Sequence, residues 1–487
     1  MSENTANDND QKKDDSLTLS AEEPIQTQHE IALNGDRLRY TATTGMMPLK
    51  NDQDEIQANI FFMAYTLDDV DDTSQRPVMF VFNGGPGSSS VWLHMGAFGP
   101  KRVKMEDEGW MPRPPFRLVD NDQTWLDKTD LVFIDPVGTG FSRAKDEETA
   151  KQYWSLKGDI ESVGEFIRLY LTRYHRWTSP LLLAGESYGT TRAAGIAGHL
   201  INQGIAFNGV VLVSTVLSFQ TLLFERGNDL PAYVYLPTYT ATAWYHKQLQ
   251  PALQEKPLRE VLDEVEAWTE DTYAVALAKG DRLSDDDRQN VIEQLAYYTG
   301  LETRYIDGTN LRVDIMRFCK ELLRDQKRAV GRLDSRYTGM NALSVTEYFE
   351  FDPSMTAIVP PYTATFNDYV RRELGYETDH KYEILSYAVN GGWEYDRGKY
   401  PDTSEALRAA LTKNPYMQVF AALGYYDLAT PYFATHYTFN HMDLNPELRD
   451  NIHTADYEAG HMLYLDLTSL AKLKADFLDF LPHALGE

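Results

Sequence analysis

The sequence predicts an α/β fold with a mostly parallel central sheet, interrupted by a large and mostly helical insertion. In the first half of the chain, short and nearly continuous apolar runs alternate with amphipathic helical stretches. Such runs are typical of parallel strands that are covered on both faces. After Thr215 the pattern changes to amphipathic helices, and strand-like runs return only near the C-terminus.

The first elements are expected to enter the sheet as antiparallel strands. Residues 29–45 contain an Asn-Gly turn between alternating segments, and residues 58–67 are apolar and rich in aromatics. The amphipathic stretch at 159–174 has apolar residues at helical spacing and predicts a helix between parallel strands. The parallel strands themselves are predicted within 77–85, 130–136, 180–187 and 208–215.

The insertion and the return to the sheet follow in order. A Ser-x-x-Asp sequence at 284–287 resembles a capping box and predicts a helix start. Cys319 lies on the apolar side of another predicted helix, so we expect it to be buried. Strands are predicted again at 416–424 and within 450–461, before a terminal helix. The predicted organisation is a tail (1–27), a first part of the core (28–216), a helical cap (217–404) and a second part of the core (405–487).

Composition limits the partners and the compartment. The chain has 46 Lys and Arg against 73 Asp and Glu, a formal net charge of −27, and no basic stripe, which argues against nucleic acid or an anionic membrane as a partner. Because Cys319 is the single cysteine, neither an intramolecular disulfide nor a cysteine metal cluster can form. Residues 1–27 are polar and are expected to be disordered. With no signal-like or membrane-spanning run, the sequence predicts a cytoplasmic protein.

The sequence Gly-Glu-Ser-Tyr-Gly at 185–189 directly follows an apolar strand-like run. Gly-x-Ser-x-Gly between a strand and a helix is the pattern of a nucleophile elbow, in which a strained turn lifts a serine hydroxyl above the sheet. The pattern alone is weak, because Gly and Ser are common residues. With its strand and helix context, it makes Ser187 the candidate nucleophile.

A serine nucleophile needs a base, and the base needs an acid that orients it. In hydrolases of this type the chain order is Ser, then Asp or Glu, then His. His461 follows the last predicted strand and a glycine, whereas the other late histidines (His436, His441, His453 and His483) lie in helical, strand or tail positions. Asp427 lies three residues beyond the glycine that ends a strand, whereas Asp443 and Asp450 lie in polar turns. Taken alone, an aspartate in such a position is more often a turn or N-cap residue than a catalytic one, and it is the placement of Asp427 between Ser187 and His461 that favours the catalytic role.

The sequence Asn-Gly-Gly-Pro-Gly-Ser-Ser-Ser at 83–90 follows another predicted strand. Adjacent glycines let a backbone N–H point at a developing oxyanion. The alternative interpretation is an ordinary Pro-Gly turn. No cofactor and no metal site are predicted anywhere in the chain.

Four segments in this order, at 83–90, 135–142, 185–189 and 459–462, resemble the motifs of the serine carboxypeptidases. The resemblance implies an α/β-hydrolase fold with a helical cap, and a peptide as substrate. It also implies a triad of Ser187, Asp427 and His461.

The same resemblance implies roles for the residues around the triad. The N–H groups of Gly85 and Tyr188 would form the oxyanion hole. Asn83, the Gly84 backbone and a protonated Glu186 would bind the terminal carboxylate of the substrate. The expected activity is serine carboxypeptidase-like hydrolysis of peptide bonds at or near the C-terminus.

The sequence departs from the family at four positions. Val81 and Ala97 replace a tryptophan and a glutamate of the carboxylate-binding network, Ser88 replaces a cysteine, and Tyr464 replaces a proline. These departures leave open an esterase, amidase or acyltransferase that uses the same triad. A binding protein without catalysis is a third alternative, although no triad residue is missing.

Overall fold

The computed structural model describes residues 19, 22–33, 35–395 and 398–487. Its strands are β1 (Ile25–Leu33), β2 (Asp36–Lys50), β3 (Ile56–Leu67), β4 (Val78–Phe82), β5 (Lys101–Val103), β6 (Leu118–Asp120), β7 (Asp130–Ile134), β8 (Arg143–Ala144), β9 (Leu181–Ser187), β10 (Gly209–Thr215), β11 (Arg328–Val330), β12 (Thr338–Met340), β13 (Gln418–Gly424) and β14 (Ile452–Tyr457).

The main sheet contains ten of these strands in the order β1-β2-β3-β7-β4-β9-β10-β13-β14, with β8 paired to β3. The entry strands β1, β2 and β3 are antiparallel, and β3 also pairs antiparallel with β7. From β7 to β14 every neighbouring pair on this path is parallel. The predicted mostly parallel sheet with an antiparallel entry is therefore confirmed.

Both faces of the sheet are buried, which explains the continuous apolar runs. In β4, Val78, Phe80 and Phe82 pack in one hydrophobic core, and Met79 and Val81 pack in the core on the other face. Side chains alternate between the faces of a strand, so a strand that is covered on both sides needs apolar residues at every position.

The helices cover these faces and build the cap. They are α1 (Val91–Leu93), α2 (Glu147–Tyr153), α3 (Leu156–Arg173), α4 (Tyr188–Leu200), α5 (Leu230–Tyr245), α6 (Pro251–Gln254), α7 (Leu258–Trp268), α8 (Ala274–Lys279), α9 (Asp285–Thr299), α10 (Thr303–Gly308), α11 (Ile315–Glu321), α12 (Pro353–Arg372), α13 (Tyr387–Gly392), α14 (Ser404–Lys413), α15 (Tyr432–Asn440) and α16 (Leu467–Leu485).

Two helix starts show how the sequence specifies local structure. Ser284 accepts a hydrogen bond from the N–H of Asp287 at 3.1 Å and caps α9, at the position where the Ser-x-x-Asp sequence predicts a start. Ser155 likewise accepts from the N–H of Gly158 at 3.1 Å and caps α3. Each side-chain oxygen satisfies an N–H that has no partner inside its helix.

The segment between β10 and β13 is mostly helical and also contains the short antiparallel pair β11–β12. It holds Cys319 in α11, where the side chain is buried as predicted. Burial raises the pKa of the Cys319 thiol well above its usual value.

At the N-terminal end, strand β1 begins at Ile25, so residues 25–27 of the predicted tail lie in the sheet. Tail positions 19 and 22–24 lie outside helices and strands, and positions 1–18, 20 and 21 lie outside the described residues. Among the helices of the described ranges, none has the length and apolar character that a bilayer span requires.

Candidate active site

The predicted triad residues lie at the carboxyl ends of three parallel strands, or in the loops that follow them. Ser187 ends β9, Asp427 follows β13, and His461 follows β14, and these strands lie close together in the order β9-β10-β13-β14. The carboxyl ends of parallel strands meet at one edge of a sheet. The topology therefore gathers residues that are distant in sequence at one edge.

Ser187 is in a strained turn between β9 and α4. Its φ of 60° and ψ of −132° are rare for a residue with a side chain. Glycine is needed around this turn, because a Cβ on Gly185 would meet the carbonyl oxygen of Gly189 at 2.1 Å. A Cβ on Gly84, in the loop after β4, would meet the Tyr188 nitrogen at 2.5 Å. The turn thus has the geometry of a nucleophile elbow, packed against the 83–90 loop.

His461 and Asp427 form a buried pair. The Asp427 carboxylate Oδ2 is 2.7 Å from His461 Nδ1 and also accepts a hydrogen bond from Thr430 Oγ1 at 2.7 Å. The other carboxylate oxygen, Oδ1, accepts from the N–H groups of Ala429 at 2.7 Å and Thr430 at 3.0 Å. With Asp427 fully buried, these four contacts fix the orientation of its carboxylate.

The backbone of His461 is held on both sides. Its N–H donates to the Leu333 carbonyl at 2.6 Å, and its carbonyl accepts from Ser214 Oγ at 2.5 Å. Burial opposes the charged imidazolium, but the carboxylates of Asp427 and Glu186 outweigh it, and the pKa of His461 is raised. The His461 imidazole is therefore a stronger base than it would be if it were equally buried but had no carboxylates beside it.

The other candidates considered for base and acid lie elsewhere. None of them lines the cavity that contains Ser187 and His461. His441 is exposed and contacts the Tyr437 carbonyl, and His453 contacts Gln418. The remaining residues of this group are half-buried or exposed: His436, His483, Asp443 and Asp450.

The predicted oxyanion groups lie on two adjacent elements. Tyr188 is the first residue of α4, where a backbone N–H has no acceptor within its own helix. Gly85 follows β4, which pairs in parallel with β9 through Phe82 and Gly185, and its φ of +106° favours glycine. The pairing of β4 with β9 places the loop of Gly85 beside the elbow. Both residues line the cavity that holds Ser187.

The 83–90 loop, which packs against the elbow, is anchored by a buried ion pair. Arg192 in α4 donates from Nε to the Asp159 carboxylate at 2.8 Å and from Nη1 to the Asn83 carbonyl at 2.6 Å. The Tyr188 hydroxyl donates to the same carboxylate at 2.9 Å. These contacts tie α3, α4 and the 83–90 loop together, so they hold the candidate oxyanion groups in register.

Glu186 lies buried beside the nucleophile. The hydroxyl of Tyr464 donates to its Oε2 at 2.6 Å, and the Asn83 side chain is a second hydrogen-bond partner. Burial raises the pKa of Glu186 to about 7, although His461, Tyr464 and Asn83 all act in the opposite direction. A carboxyl group in this environment is protonated at slightly acidic pH, so it can donate a hydrogen bond to an anion.

The sequence departures can now be located. Val81 and Ala97 are fully buried in the core, and neither lines the cavity. Ser88 does line it and accepts a hydrogen bond from Trp92 Nε1 at 2.8 Å. Tyr464 brings a hydroxyl to Glu186, which a proline at this position could not do. One departure thus adds a hydrogen bond to the Glu186 carboxyl group.

We expect Tyr464→Phe to raise the pKa of Glu186 further, because the lost hydroxyl stabilises the carboxylate form. Binding that needs protonated Glu186 should then persist to higher pH, with a KM for a free-acid peptide at pH 8 several-fold below that of the wild type. Measuring KM from pH 5 to 9 tests this. Tyr362→Phe is the matched control, since the Tyr362 hydroxyl is also buried nearby but has no hydrogen-bond partner in the described chain. An unchanged Tyr464→Phe profile would contradict the expectation.

Ser187, His461, Glu186 and the candidate oxyanion groups Gly85 and Tyr188 line a cavity of about 350 Å³. The lining includes Asn83, Gly84, Glu186 and Ser187, together with residues of the insertion. The residues that line it from the insertion are Phe219, Leu222, Arg332, Leu333, Met355, Ile358, Leu385, Tyr387 and Asn390. The cavity can therefore hold a small part of a chain molecule, and its lining combines polar groups with apolar side chains.

Three contacts of the site were missed from the sequence. Thr430 hydrogen-bonds Asp427, and the Asp-x-x-Thr spacing before a proline was a usable signal for it. The sequence marks Tyr464 only as a departure from the family, and its partner Glu186 is 278 positions away. Arg332 belongs to the insertion, and no local pattern connects it with the triad. Among the described residues no cluster of three or more His, Cys, Asp or Glu side chains forms a candidate metal site.

Comparison with known proteins adds family and fold information. A sequence profile described as serine carboxypeptidase matches residues 37–463. Pheromone-processing carboxypeptidase KEX1 of Saccharomyces cerevisiae is 30% identical over 169 residues, which are 32% of this chain and 22% of that protein. Serine carboxypeptidase-like 5 of Arabidopsis thaliana is 28% identical over 154 residues, which are 31% of this chain and 33% of that protein. The match thus spans a third or less of these relatives' own length.

A solved structure gives a longer match. The prohormone-processing carboxypeptidase Kex1 from Saccharomyces cerevisiae superposes with a TM-score of 0.57, over 90% of this chain and 91% of that one, at 16% sequence identity. At this low sequence identity, the similarity between the two structures is evidence for a shared fold.

Proposed function

The chain belongs to the serine carboxypeptidase family, and we propose that it is a carboxypeptidase-like peptidase that cleaves peptide bonds at or near the C-terminus through an acyl-enzyme. The observation that carries this proposal is the buried Asp427–His461 pair, in which Asp427 Oδ2 lies 2.7 Å from His461 Nδ1. His461 and the strained Ser187 also line one cavity together with Glu186.

The proposed reaction assigns one role to each group. Ser187 Oγ attacks the scissile carbonyl carbon while His461 Nε2 accepts the hydroxyl proton, and His461 then donates that proton to the leaving amine. The N–H groups of Gly85 and Tyr188 stabilise the tetrahedral oxyanion. His461 then deprotonates a water molecule that attacks the acyl carbon, the bond from Ser187 Oγ to the acyl group breaks, and His461 returns the proton to Ser187 Oγ as the shortened peptide leaves.

Asn83, the Gly84 backbone and protonated Glu186 are proposed to bind the terminal carboxylate of the substrate. Their position beside Ser187 would put the last peptide bond at the nucleophile. The raised pKa of Glu186, about 7, supports this role, because only the neutral acid can donate a hydrogen bond to a carboxylate.

The test is a peptide digest read by mass spectrometry. A peptide with a free C-terminus should lose residues one at a time from that end, and the same peptide with a C-terminal amide should be cleaved more slowly. Ser187→Ala is the control for contaminating peptidases. Cleavage only at internal bonds, or none on any peptide, would refute the proposal.

We expect the KM for a free-acid peptide to rise as the pH increases through about 7, because Glu186, with its pKa of about 7, then becomes an anion facing the substrate carboxylate. The matched peptide amide lacks that carboxylate, so its KM should not show this rise. In Glu186→Gln the side chain stays neutral, and the rise for the acid should disappear. Identical KM profiles for acid and amide in the wild type would show that Glu186 does not bind the terminal carboxylate.

A second candidate is an esterase, amidase or acyltransferase that uses the same triad. Val81 and Ala97 favour it, because at both positions the sequence lacks a side chain of the family's carboxylate-binding network. Comparing kcat/KM for a blocked dipeptide with that for its C-terminal amide and ester separates the two candidates. A higher value for the amide or ester would favour the second.

We also propose that the protein acts in the cytoplasm, without nucleic acid or membrane as a partner. The support is the single, buried Cys319, which leaves the fold independent of an oxidising compartment, and the net charge of −27. Cell fractionation followed by immunodetection of the native chain is the test. Recovery in a secreted or membrane fraction would refute it.

A further inference from the structure

Arg332 is a cation inside the catalytic cavity. It is half-buried, lines the same cavity as Ser187 and His461, and comes from the turn that follows β11 in the insertion. Its backbone is fixed between the two catalytic loops. The Arg332 carbonyl accepts from the N–H of Leu428 at 3.1 Å, and the next carbonyl, of Leu333, accepts from the N–H of His461 at 2.6 Å.

The guanidinium of Arg332 has no ion pair or side-chain hydrogen bond with any described residue. This differs from the nearby Arg336, whose guanidinium pairs with the Asp334 carboxylate at 2.7 Å. Asp352 is the carboxylate that contacts Arg332, but it does so through the Arg332 N–H, at 3.3 Å. In a chain of net charge −27, an arginine of the active site thus keeps its donors free.

The lining groups other than Arg332 that can carry a charge near neutral pH, Glu186 and His461, are already engaged. The Glu186 carboxyl is bonded to Tyr464, and the His461 imidazole is bonded to Asp427. The positive charge of Arg332 lowers the pKa of His461, against the larger effect of Asp427, so the guanidinium acts on the catalytic centre itself. Arg332 is therefore the cation of this cavity that can meet a substrate anion.

We propose that Arg332 selects peptides with an aspartate or glutamate side chain next to the scissile bond, by pairing its guanidinium with that carboxylate. This inference rests on the proposed peptidase function. A planar guanidinium matches a carboxylate with two parallel hydrogen bonds. A substrate with an apolar or basic side chain at that position would displace water from Arg332 without replacing its hydrogen bonds, so the site discriminates against it.

The test uses matched peptides that differ only by glutamate or glutamine at the last or the penultimate position, all with free C-termini. The wild type should show kcat/KM higher for the glutamate peptide by roughly 10- to 100-fold at one of these positions. Arg332→Gln should remove this preference, Arg332→Lys should keep part of it, and Arg332→Glu should turn it into a preference for the glutamine peptide. Arg304→Gln, an exposed cation of α10 outside this cavity, is the control and should keep the preference.

Two results would overturn the inference. One is a wild type without a glutamate preference at either position. The other is a glutamate-to-glutamine ratio in Arg332→Gln equal to that of the wild type, because an equal loss on both peptides would assign Arg332 to the terminal carboxylate or to support of His461. Thermal unfolding of each variant identifies a folding defect. If Arg332→Gln has such a defect, the glutamate-to-glutamine ratio of Arg332→Lys is compared with that of the wild type instead.

Calorimetric titration of the same peptides into Ser187→Ala measures the preference without turnover. If no peptide is hydrolysed by the wild type but the glutamate peptide still binds more tightly through Arg332, the proposed reaction fails and the inference stands. Equal binding of the two peptides refutes the inference, whatever the enzyme hydrolyses.

Discussion

Ser187→Ala and His461→Ala are each expected to lower kcat by about 10⁶-fold, and the double variant should lose hardly more than either single one. The reason is that the two groups act in one step. Without the Ser187 hydroxyl there is nothing for His461 to deprotonate, and without His461 the hydroxyl is a weak nucleophile. Turnover of a free-acid peptide, followed over hours for the variants, measures the loss.

A labelling experiment and a control variant make this test specific. Fluorophosphonate should label the wild type, label His461→Ala far more slowly, and leave Ser187→Ala unlabelled. His453→Ala is the matched control, because His453 lies outside the cavity. It should retain wild-type turnover. Losses from Ser187 and His461 that multiply in the double variant would contradict a shared step.

Much of the fold could be predicted because the strands are buried on both faces. The runs that became β4, β7, β9 and β10 are apolar at nearly every position, and burial on two faces requires this pattern. The elbow at Ser187 could also be located, because its geometry demands glycine at fixed spacing. In both cases the constraint acts within a few residues of the chain.

The remaining contacts depend on tertiary neighbours. Tyr464 meets Glu186 only because the loop after β14 approaches the elbow, and no spacing in the sequence encodes that approach. Arg332 reaches the cavity because the insertion folds back and its backbone bonds to Leu428. The helix periodicity of the insertion predicts its class of structure but not which residues face the site.

Asp427→Asn should lower kcat on the order of 10⁴-fold with little change in fold, because the substitution is nearly isosteric and reverses one hydrogen bond. The surrounding contacts determine the orientation of the new amide. The N–H groups of Ala429 and Thr430 both donate to Oδ1, at 2.7 and 3.0 Å, so the amide oxygen must stay there. The NH₂ group then takes the place of Oδ2, 2.7 Å from His461 Nδ1.

An NH₂ group at that position donates to Nδ1 and forces the imidazole proton onto Nε2, the atom that must accept the proton of Ser187. A second consequence follows from charge. Asp427 raises the pKa of His461, so its loss should lower that pKa and move the acid limb of the kcat profile to lower pH. Thr430→Val, which removes one hydroxyl from Oδ2 but keeps the carboxylate, should cost far less activity. A loss below tenfold in Asp427→Asn, or an acid limb that does not move, would show that another group orients His461.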